Sequence, residues 1–340
     1  MNFELSEEQK LIQQSVERFV QEKYDLVKRV EISSLDPGYS EEYWNSMAEL
    51  GWLGLPFNEE DGGFGGNQID TMVIMEQFGK GLVLEPFLAN IVLGGGAIQL
   101  GGSEDLKSEI LPNLIDGSKQ LTLAYAEQQS RFDLEDVATS AREEGEKYII
   151  NGQKSMVLNA ESADHLVVVT RTNGSQVDEE GITLFLVDSD SKGLERNNFP
   201  TVDGLRASEI TFDNVEVNSE RMIGDPDKGF SILRTITNNA ILALCAEAVG
   251  AMEVLYKDTV EYTQQREQFD QPLSDFQVLQ HRMVDMFMEY EQCKSLLFRA
   301  TMETIQDPSM AQRTIHALKH LIGKSGIFVG ENAVQLHGGM

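Results

Sequence analysis

Two groups of residues in this sequence have types and spacings that can bind metals or nucleotides. His316 and His320 are four residues apart on a predicted helix, which suits a zinc ion, but no third ligand and no HExxH pattern accompanies them. The glycine runs at residues 62–66 and 94–96 lack the Gly-Lys-Ser/Thr of a P-loop and its strand–helix setting. We therefore expect neither a metal site nor P-loop nucleotide binding.

The composition argues against several classes of protein. The chain has 340 residues, 41% of them apolar, and its 27 basic and 56 acidic residues give a formal net charge of −29. Such an acidic chain is unsuited to nucleic acid or anionic lipid. We see no uninterrupted run of 18 apolar residues and no signal peptide, so neither a membrane span nor secretion is expected. Cys245 and Cys293 give no disulfide framework; they favour a cytoplasmic location and are expected to be inert core residues.

The elements that must position any site begin and end with helices. Residues 1–119 are predicted to be a helical domain, in which Ser6 and Gln9 form a capping box, one helix spans about residues 84–100 and Ser103 caps a later helix. Residues 226–340 predict an antiparallel bundle, since long segments almost free of glycine and proline are joined by short turns. Its helices are predicted at residues 229–265, 274–305 and 309–336.

The middle of the chain, residues 120–225, has the signature of β-structure. Short β-branched segments occur without helical patterns between them, which favours a compact antiparallel barrel or sandwich over a doubly wound parallel sheet. We predict a hairpin with Asn151-Gly152 as its turn, and a second turn at Asp213-Asn214. The predicted fold class is α+β: a helical domain, a small β domain and a helical bundle.

Short motifs spread from end to end carry a family resemblance. They are Leu53-Gly54-Leu55-Pro56, Leu111-Pro112, Tyr148-Ile149-Ile150-Asn151-Gly152-Gln153-Lys154, Gly204-Leu205-Arg206-Ala207-Ser208, Phe212-Asp213-Asn214-Val215, Arg266-Glu267-Gln268-Phe269, Phe276-Gln277 and Gln335-Leu336-His337-Gly338-Gly339. With these motifs in register, the whole chain resembles the flavin-dependent acyl-CoA dehydrogenases. Residues 244–250 look most like the small subunit of pimeloyl-CoA-type dehydrogenases, which pairs with a larger homologous subunit.

The resemblance implies a reaction, a cofactor and partners. The reaction is α,β-desaturation of an acyl-CoA thioester, in which a carboxylate removes the α-proton while the β-hydride passes to FAD. The implied partners are the acyl-CoA substrate, a larger homologous subunit or further copies of this chain, and an electron-transfer flavoprotein.

Six residues are assigned to FAD by the same resemblance. Arg266 would neutralise the diphosphate, because a guanidinium offers paired donors to phosphate oxygens, and Phe269 would pack on the adenosine. The others are Gln277, Gln335, Gly338 and Gly339, whose glycines permit close backbone approach. These residues would reach the flavin of a neighbouring subunit. Taken alone, Arg266 is more simply interpreted as a solvated helix-end arginine, and the glycine pair as a helix C-cap.

The segment that would edge the flavin ring departs from the family pattern. Tyr125 and Ala126 lie in a loop whose backbone donors would stabilise negative charge on the reduced ring, but Ala126 replaces the usual hydroxyl residue. Met156 and Leu158 occupy the family's aromatic and hydroxyl positions, and Arg131-Phe132-Asp133 replaces Gly-Ser-Asp near CoA. A flavin pocket remains possible with fewer side-chain hydrogen bonds.

The usual catalytic base is missing from its expected position. The family's glutamate and neighbouring arginine correspond to Ala240 and Ile241, and the alternative base lies in a segment beyond residue 340. Glu247 is a weak candidate: apolar neighbours would raise its pKa, but it reads more simply as a bundle or interface glutamate paired with a cation. We expect the last bundle helix to be absent from this sequence. The chain is expected to be either a dehydrogenase subunit or a non-catalytic partner that completes the FAD site of a homologous subunit; if it is part of a longer product, the base would lie downstream of residue 340.

Overall fold

A computed structural model describes residues 4–339 of the chain. Its helices are α1 (Glu7–Lys23), α2 (Leu26–Ser33), α3 (Glu41–Glu49), α4 (Gln68–Gly81), α5 (Gly96–Gly101), α6 (Glu104–Ile115), α7 (Phe230–Gln265), α8 (Gln277–Gln306) and α9 (Pro308–Leu336). Its strands are β1 (Leu121–Ala124), β2 (Ser140–Glu144), β3 (Lys147–Leu158), β4 (His165–Arg171), β5 (Ile182–Asp188), β6 (Leu194–Pro200), β7 (Arg206–Asn218), β8 (Met222–Ile223), β9 (Glu267–Gln268) and β10 (Gln271–Pro272). The fold is therefore of the α+β class.

The predicted helix starts are confirmed by their caps. The Ser6 hydroxyl accepts from the Gln9 backbone while the Gln9 side chain accepts from the Ser6 backbone, which is a capping box. Ser103 caps α6 through Leu106 N–H. The three long helices begin and end within a few residues of the predicted bounds.

Two parts of the N-terminal region differ from the sequence prediction. The helix α2 was not predicted, because Leu26, Val27 and Val30 are exposed and leave no buried apolar stripe to detect. The single helix expected near residues 84–100 is instead a π-helical segment, Leu88–Gly95, followed by α5.

Eight strands form one sheet in the order β6-β7-β3-β2-β4-β5-β8, with β1 on β4. Most neighbours are antiparallel, but β1 runs parallel to β4, and β2 meets β4 through one parallel pair. The sheet buries a cluster of aliphatic and aromatic side chains that includes Val168, Phe185 and Phe212. The absence of helices between the strands, expected from the sequence, is thus explained by antiparallel connections.

The two turns predicted from Asn-Gly and Asp-Asn pairs are wrong. Both pairs lie inside continuous strands, β3 and β7, where the register shifts at a bulge. Asn151 accepts a hydrogen bond from the backbone of Asn214, whose φ is +52°, so the turn-forming residues meet each other across the bulge. The two-residue turn before β3 is at Gly145-Glu146.

The chain forms two compact units. One contains the sheet and comprises Val30–Gly66 and Leu84–Ala240. The other is helical and comprises the described parts of Met1–Arg29, Asn67–Val83 and Ile241–Met340. The domain bounds derived from the sequence stay a prediction.

Within the helical unit, α4 and α7 approach at two glycines. A Cβ on Gly79 would lie 1.8 Å from the Glu247 carbonyl oxygen, and one on Gly250 would lie 1.9 Å from the Glu76 carbonyl oxygen. Each helix therefore has a glycine where the backbone of the other helix passes, because a side chain at that point would clash with it.

Among residues 4–339, α7 alone is long and apolar enough to cross a membrane by length and composition. One such helix is weak evidence for a span, because the core helix of a water-soluble protein passes the same test.

Candidate functional site

The loop after β1 contains the residues predicted to edge the flavin ring. The backbone N–H of Ser155 donates to the Ala126 carbonyl at 2.8 Å, and the Lys154 ammonium donates to the Tyr125 carbonyl at 3.2 Å. Among residues 4–339, the Ala126 N–H has no acceptor. The loop is therefore held through its carbonyls, and the Ala126 amide is available to an external acceptor.

A buried ion pair fixes this loop. Lys154 and Glu127, whose side chains are 0% and 3% exposed, are joined by a 2.6 Å contact between Nζ and Oε1. The Glu127 carboxylate also accepts from the backbones of Ala138 at 2.9 Å and Thr139 at 3.1 Å, and from the Gln129 amide at 2.7 Å.

The two charges respond differently to burial. At Lys154 burial dominates and lowers the pKa to about 8, although the Glu127 carboxylate opposes the change. At Glu127 burial alone would raise the pKa, but the charge of Lys154 and the hydrogen bonds outweigh it and lower the pKa. The carboxylate is thus held ionised at neutral pH.

A bulge in β3 separates Lys154 from Met156. The register against β7 shifts between Lys154 and Val157, and Met156 has φ +53° with half of its surface exposed. The neighbouring Leu158 is partly buried, and its carbonyl accepts from the Thr122 hydroxyl at 2.6 Å. The bulge therefore lets Lys154 face inward while Met156 stands out from the strand.

The second predicted group begins at the link between α7 and α8. Phe269 and Asp270, with φ of +57° and +65°, form the two-residue turn between β9 and β10. Positive φ at both central positions is the signature of a type I′ turn, which normally takes Asn-Gly, so this backbone is strained. Phe269 is 87% exposed and meets Phe276 edge-on, with ring centroids 6.3 Å apart. This strained turn holds the Phe269 ring in solvent.

Two polar side chains flank this turn. Arg266 is exposed, and no carboxylate of residues 4–339 pairs with its guanidinium. Gln277 is the exposed first residue of α8. An unpaired guanidinium beside an exposed aromatic ring fits the phosphate and base of a nucleotide.

The end of α9 provides the remaining predicted residues. Gly338 N–H donates to Gln335 O and Gly339 N–H donates to Val334 O, which together form a Schellman cap with Gly338 at φ +80°. The glycine pair therefore has a structural task in ending the helix. Gln335, Gly338 and Gly339 are all exposed.

A ring stack joins the ends of α7 and α9. Tyr262 and His337 stack with ring centroids 4.3 Å apart and planes inclined by 26°. Tyr262 is one helical turn before Arg266, and His337 lies between Gln335 and Gly338. The structure thus brings the Arg266 and Gln335 elements to one end of the helical unit, whereas Tyr125, Ala126, Met156 and Leu158 belong to the sheet unit.

Glu247 lies at the crossing of α4 and α7, where its carbonyl faces Gly79 and its side chain is half-buried. Ala240 and Ile241, the residues expected at the positions of the family's glutamate and arginine, follow one another on α7. No cluster of three or more metal-binding side chains occurs among the described residues, and Cys245 is buried with its pKa raised by burial to about 12.

Sequence reasoning missed the Lys154–Glu127 pair. The alternation of β3 carried a signal, since Ile150 and Lys154 both fall on its inward side. A lysine at an inward position requires a buried acid, because an isolated buried charge is very costly.

Comparisons with known proteins agree with these features. The family model for the acyl-CoA dehydrogenase N-terminal domain matches residues 6–118, the middle-domain model matches 122–215 and the C-terminal-domain model matches 227–340. A probable acyl-CoA dehydrogenase of Bacillus subtilis, YngJ, is 29% identical over 345 residues, covering 100% of this chain and 90% of that protein. The caffeyl-CoA reductase–Etf complex subunit CarC of Acetobacterium woodii is 26% identical over 341 residues, covering 98% and 89%.

Among solved structures, PigA with FAD and proline superposes with a TM-score of 0.92 at 28% identity, covering 100% of this chain and 89% of that one. The free Ala126 amide and the unpaired Arg266 guanidinium are donors suited to such a cofactor. The chain therefore belongs to the acyl-CoA dehydrogenase family of FAD-dependent oxidoreductases.

Proposed function

We propose that this chain is a subunit of an acyl-CoA dehydrogenase that works with a larger homologous subunit, most like the small subunit of pimeloyl-CoA-type dehydrogenases. The observation that carries the proposal is the Tyr262–His337 stack, which sets the Arg266 and Gln335 elements side by side. Two elements assigned to FAD, from distant parts of the chain, thus meet at one end of the helical unit, which supports their joint contact with the FAD of a neighbouring subunit. When bound at these residues, FAD would supply the acceptor for the hydride of the substrate β-carbon.

In this proposal the residues of the chain bind and orient. The Arg266 guanidinium neutralises the FAD diphosphate, and the Phe269 ring packs on the adenosine. The Gln277 and Gln335 amides and the Gly338-Gly339 corner complete this end of the site. These helical-unit residues reach the FAD of a neighbouring subunit. In the sheet unit, the loop at Tyr125 and Ala126 supplies an amide donor to the flavin ring of the FAD that this subunit itself holds, and Met156 and Leu158 line that ring.

A second candidate function follows from the missing base. With Ala240 at the expected glutamate position, α7 offers no carboxylate there to take the α-proton. The chain would then complete the FAD site of a catalytic partner. Glu247 remains the weak alternative base, on a helix face nearly shared with Ala240.

The proposed partners follow the same relatives. CarC is named as a subunit of a reductase–Etf complex, which supports an electron-transfer flavoprotein as the electron acceptor here. Two buried, unpaired cysteines support a reducing cytoplasm.

Expression with and without a candidate larger subunit tests the proposal. A yellow preparation whose flavin absorbance bleaches when acyl-CoA is added without oxygen supports an FAD-dependent dehydrogenase. Arg266→Ala should lose flavin, whereas Arg313→Ala, which removes an exposed arginine on α9, should not. Colourless protein under both conditions, with FAD supplied, would refute the proposal.

The same preparations separate the two functions. If the chain alone bleaches and Glu247→Gln abolishes bleaching, the chain is catalytic. If only the complex bleaches and Glu247→Gln leaves its rate unchanged, the chain is the non-catalytic partner.

A further inference from the structure

The Lys154–Glu127 pair is almost wholly enclosed in the sheet unit. Neither side chain exposes more than 3% of its surface, and the carboxylate and ammonium groups are 2.6 Å apart. By contrast, Lys147 and Glu216 form a 2.8 Å pair in the same sheet with more than half of each side chain exposed. The sheet therefore contains one buried and one exposed lysine–glutamate pair.

Burial of such a pair is weak evidence for stability. Removing two charges from water is costly, and replacing a buried pair with apolar residues of similar volume is often neutral or stabilising. The pair therefore calls for a role other than holding the sheet together.

The pair's other hydrogen bonds show what it organises. Lys154 donates to the Tyr125 carbonyl, and Glu127 accepts from the backbones of Ala138 and Thr139. The two side chains thus tie together the start of the loop after β1, its return into β2, and the bulge of β3.

The organised segment contains the Ala126 amide, which has no acceptor among residues 4–339. Since Ala126 and Leu158 carry no hydroxyl, these two residues can donate to a flavin ring only through their backbone amides. The direction of a backbone amide depends on how its peptide is held, and the peptide that carries the Ala126 N–H is held through the Tyr125 carbonyl, which accepts from the Lys154 ammonium at 3.2 Å.

We propose that the Lys154–Glu127 pair is a positioning element that aims the Ala126 amide at the flavin ring of FAD and thereby sets the affinity and the redox potential of the cofactor. The inference rests on the proposed FAD site. The pair itself touches no reacting atom; it acts through the loop.

A charge-free double variant, Lys154→Met with Glu127→Leu, tests this role. It removes both charges together and so avoids leaving one of them unpaired. The matched control is Lys147→Met with Glu216→Leu, which removes the exposed pair of the same sheet. For each protein, the FAD dissociation constant, the visible circular dichroism of bound flavin, the flavin midpoint potential and the thermal unfolding midpoint are measured.

The expected result is FAD binding about tenfold weaker in the buried-pair variant, the size of one lost, well-aimed hydrogen bond. Its flavin dichroism should change and its midpoint potential should fall, because the reduced, negatively charged ring loses a donor. The control should match the wild type in all three flavin measurements.

Wild-type affinity, dichroism and potential in the buried-pair variant would overturn the inference, whatever happens to the unfolding midpoint. If the double variant does not fold, Glu127→Gln, which keeps the shape of the side chain, is measured in the same way, and unchanged flavin properties there overturn it equally. A wild-type protein that binds no FAD, alone or with the larger subunit, defeats the proposed function and this inference together; loss confined to the buried-pair variant supports both.

Discussion

The crossing of α4 and α7 makes Gly250→Ala a sharp test of the packing in the helical unit. In a free helix, alanine is better than glycine by about 1 kcal/mol. At Gly250, however, the added methyl group would lie 1.9 Å from the Glu76 carbonyl oxygen. That atom is backbone within a helix and cannot move as a flexible side chain can, so the steric term decides the outcome.

The net effect can be worked out from these two terms. Overpacking a well-filled site costs about 1–3 kcal/mol, and a rigid backbone contact belongs at the upper end, about 3 kcal/mol. Subtracting the helical gain leaves a destabilisation of about 2 kcal/mol. With a urea m-value of about 2 kcal/mol per molar, the unfolding midpoint should fall by about 1 M.

Gly323→Ala is the matched control, because Gly323 is also inside a helix of this unit and a Cβ there has no neighbour within 4 Å. It should raise the midpoint by about 0.5 M, the gain expected from helix propensity alone. Urea unfolding followed by far-ultraviolet circular dichroism, at one FAD concentration for all variants, measures both shifts. If Gly250→Ala rises together with Gly323→Ala, the close approach of α4 and α7 is refuted.

Three further predictions concern single side chains. Arg266→Ala should weaken FAD binding by about tenfold or more, which corresponds to the loss of one charge-assisted hydrogen bond. Titration of the apoprotein with FAD measures the dissociation constant, and an unchanged constant would contradict the prediction. Burial alone would raise the pKa of Glu253, but its pairing with Lys80 and Lys257 lowers that pKa below the ordinary value of 4.5. The stability that the ionised carboxylate contributes is present above about pH 4.5 and is lost as pH falls through the folded pKa. The unfolding midpoint of Glu253→Gln should therefore fall less between pH 5 and 3 than that of the wild type. Asp270→Gly should relieve the φ of +65° and stabilise the β9–β10 turn by about 1 kcal/mol, a gain that slower amide exchange in this turn would reveal and unchanged exchange would contradict.

Local signals in the sequence were enough for the helices. A serine three residues before its bonded amide, as at Ser6 and Ser103, is a short-range arrangement that needs no tertiary contact. The long helices α7, α8 and α9 follow equally from interiors without proline and with few glycines.

The β region shows where local signals fail. Asn151-Gly152 has the composition of a hairpin turn, but β7 offers a partner along the full length of β3, and a bulge absorbs the glycine instead. Competition between a local turn and a distant strand is decided by packing, which neighbouring residues do not encode.

The candidate site was predictable residue by residue, but its assembly was not. Arg266 and Gln335 were recognisable from motifs, whereas their proximity depends on how Tyr262 meets His337 across two helices. The Lys154–Glu127 pair spans 27 positions of the chain, and only the folded sheet shows that each charge has a partner.

Because Lys154 is completely enclosed, the chemical reactivity of its amine also reports on transient opening of the structure. Amine-acylating reagents label lysines that solvent reaches, so the exposed Lys147 on the same strand should be modified at once. Lys154 can react only in molecules whose sheet unit has transiently opened. Mass-spectrometric comparison of the modification rates of the two amines would report how often the sheet unit opens, without any engineered probe.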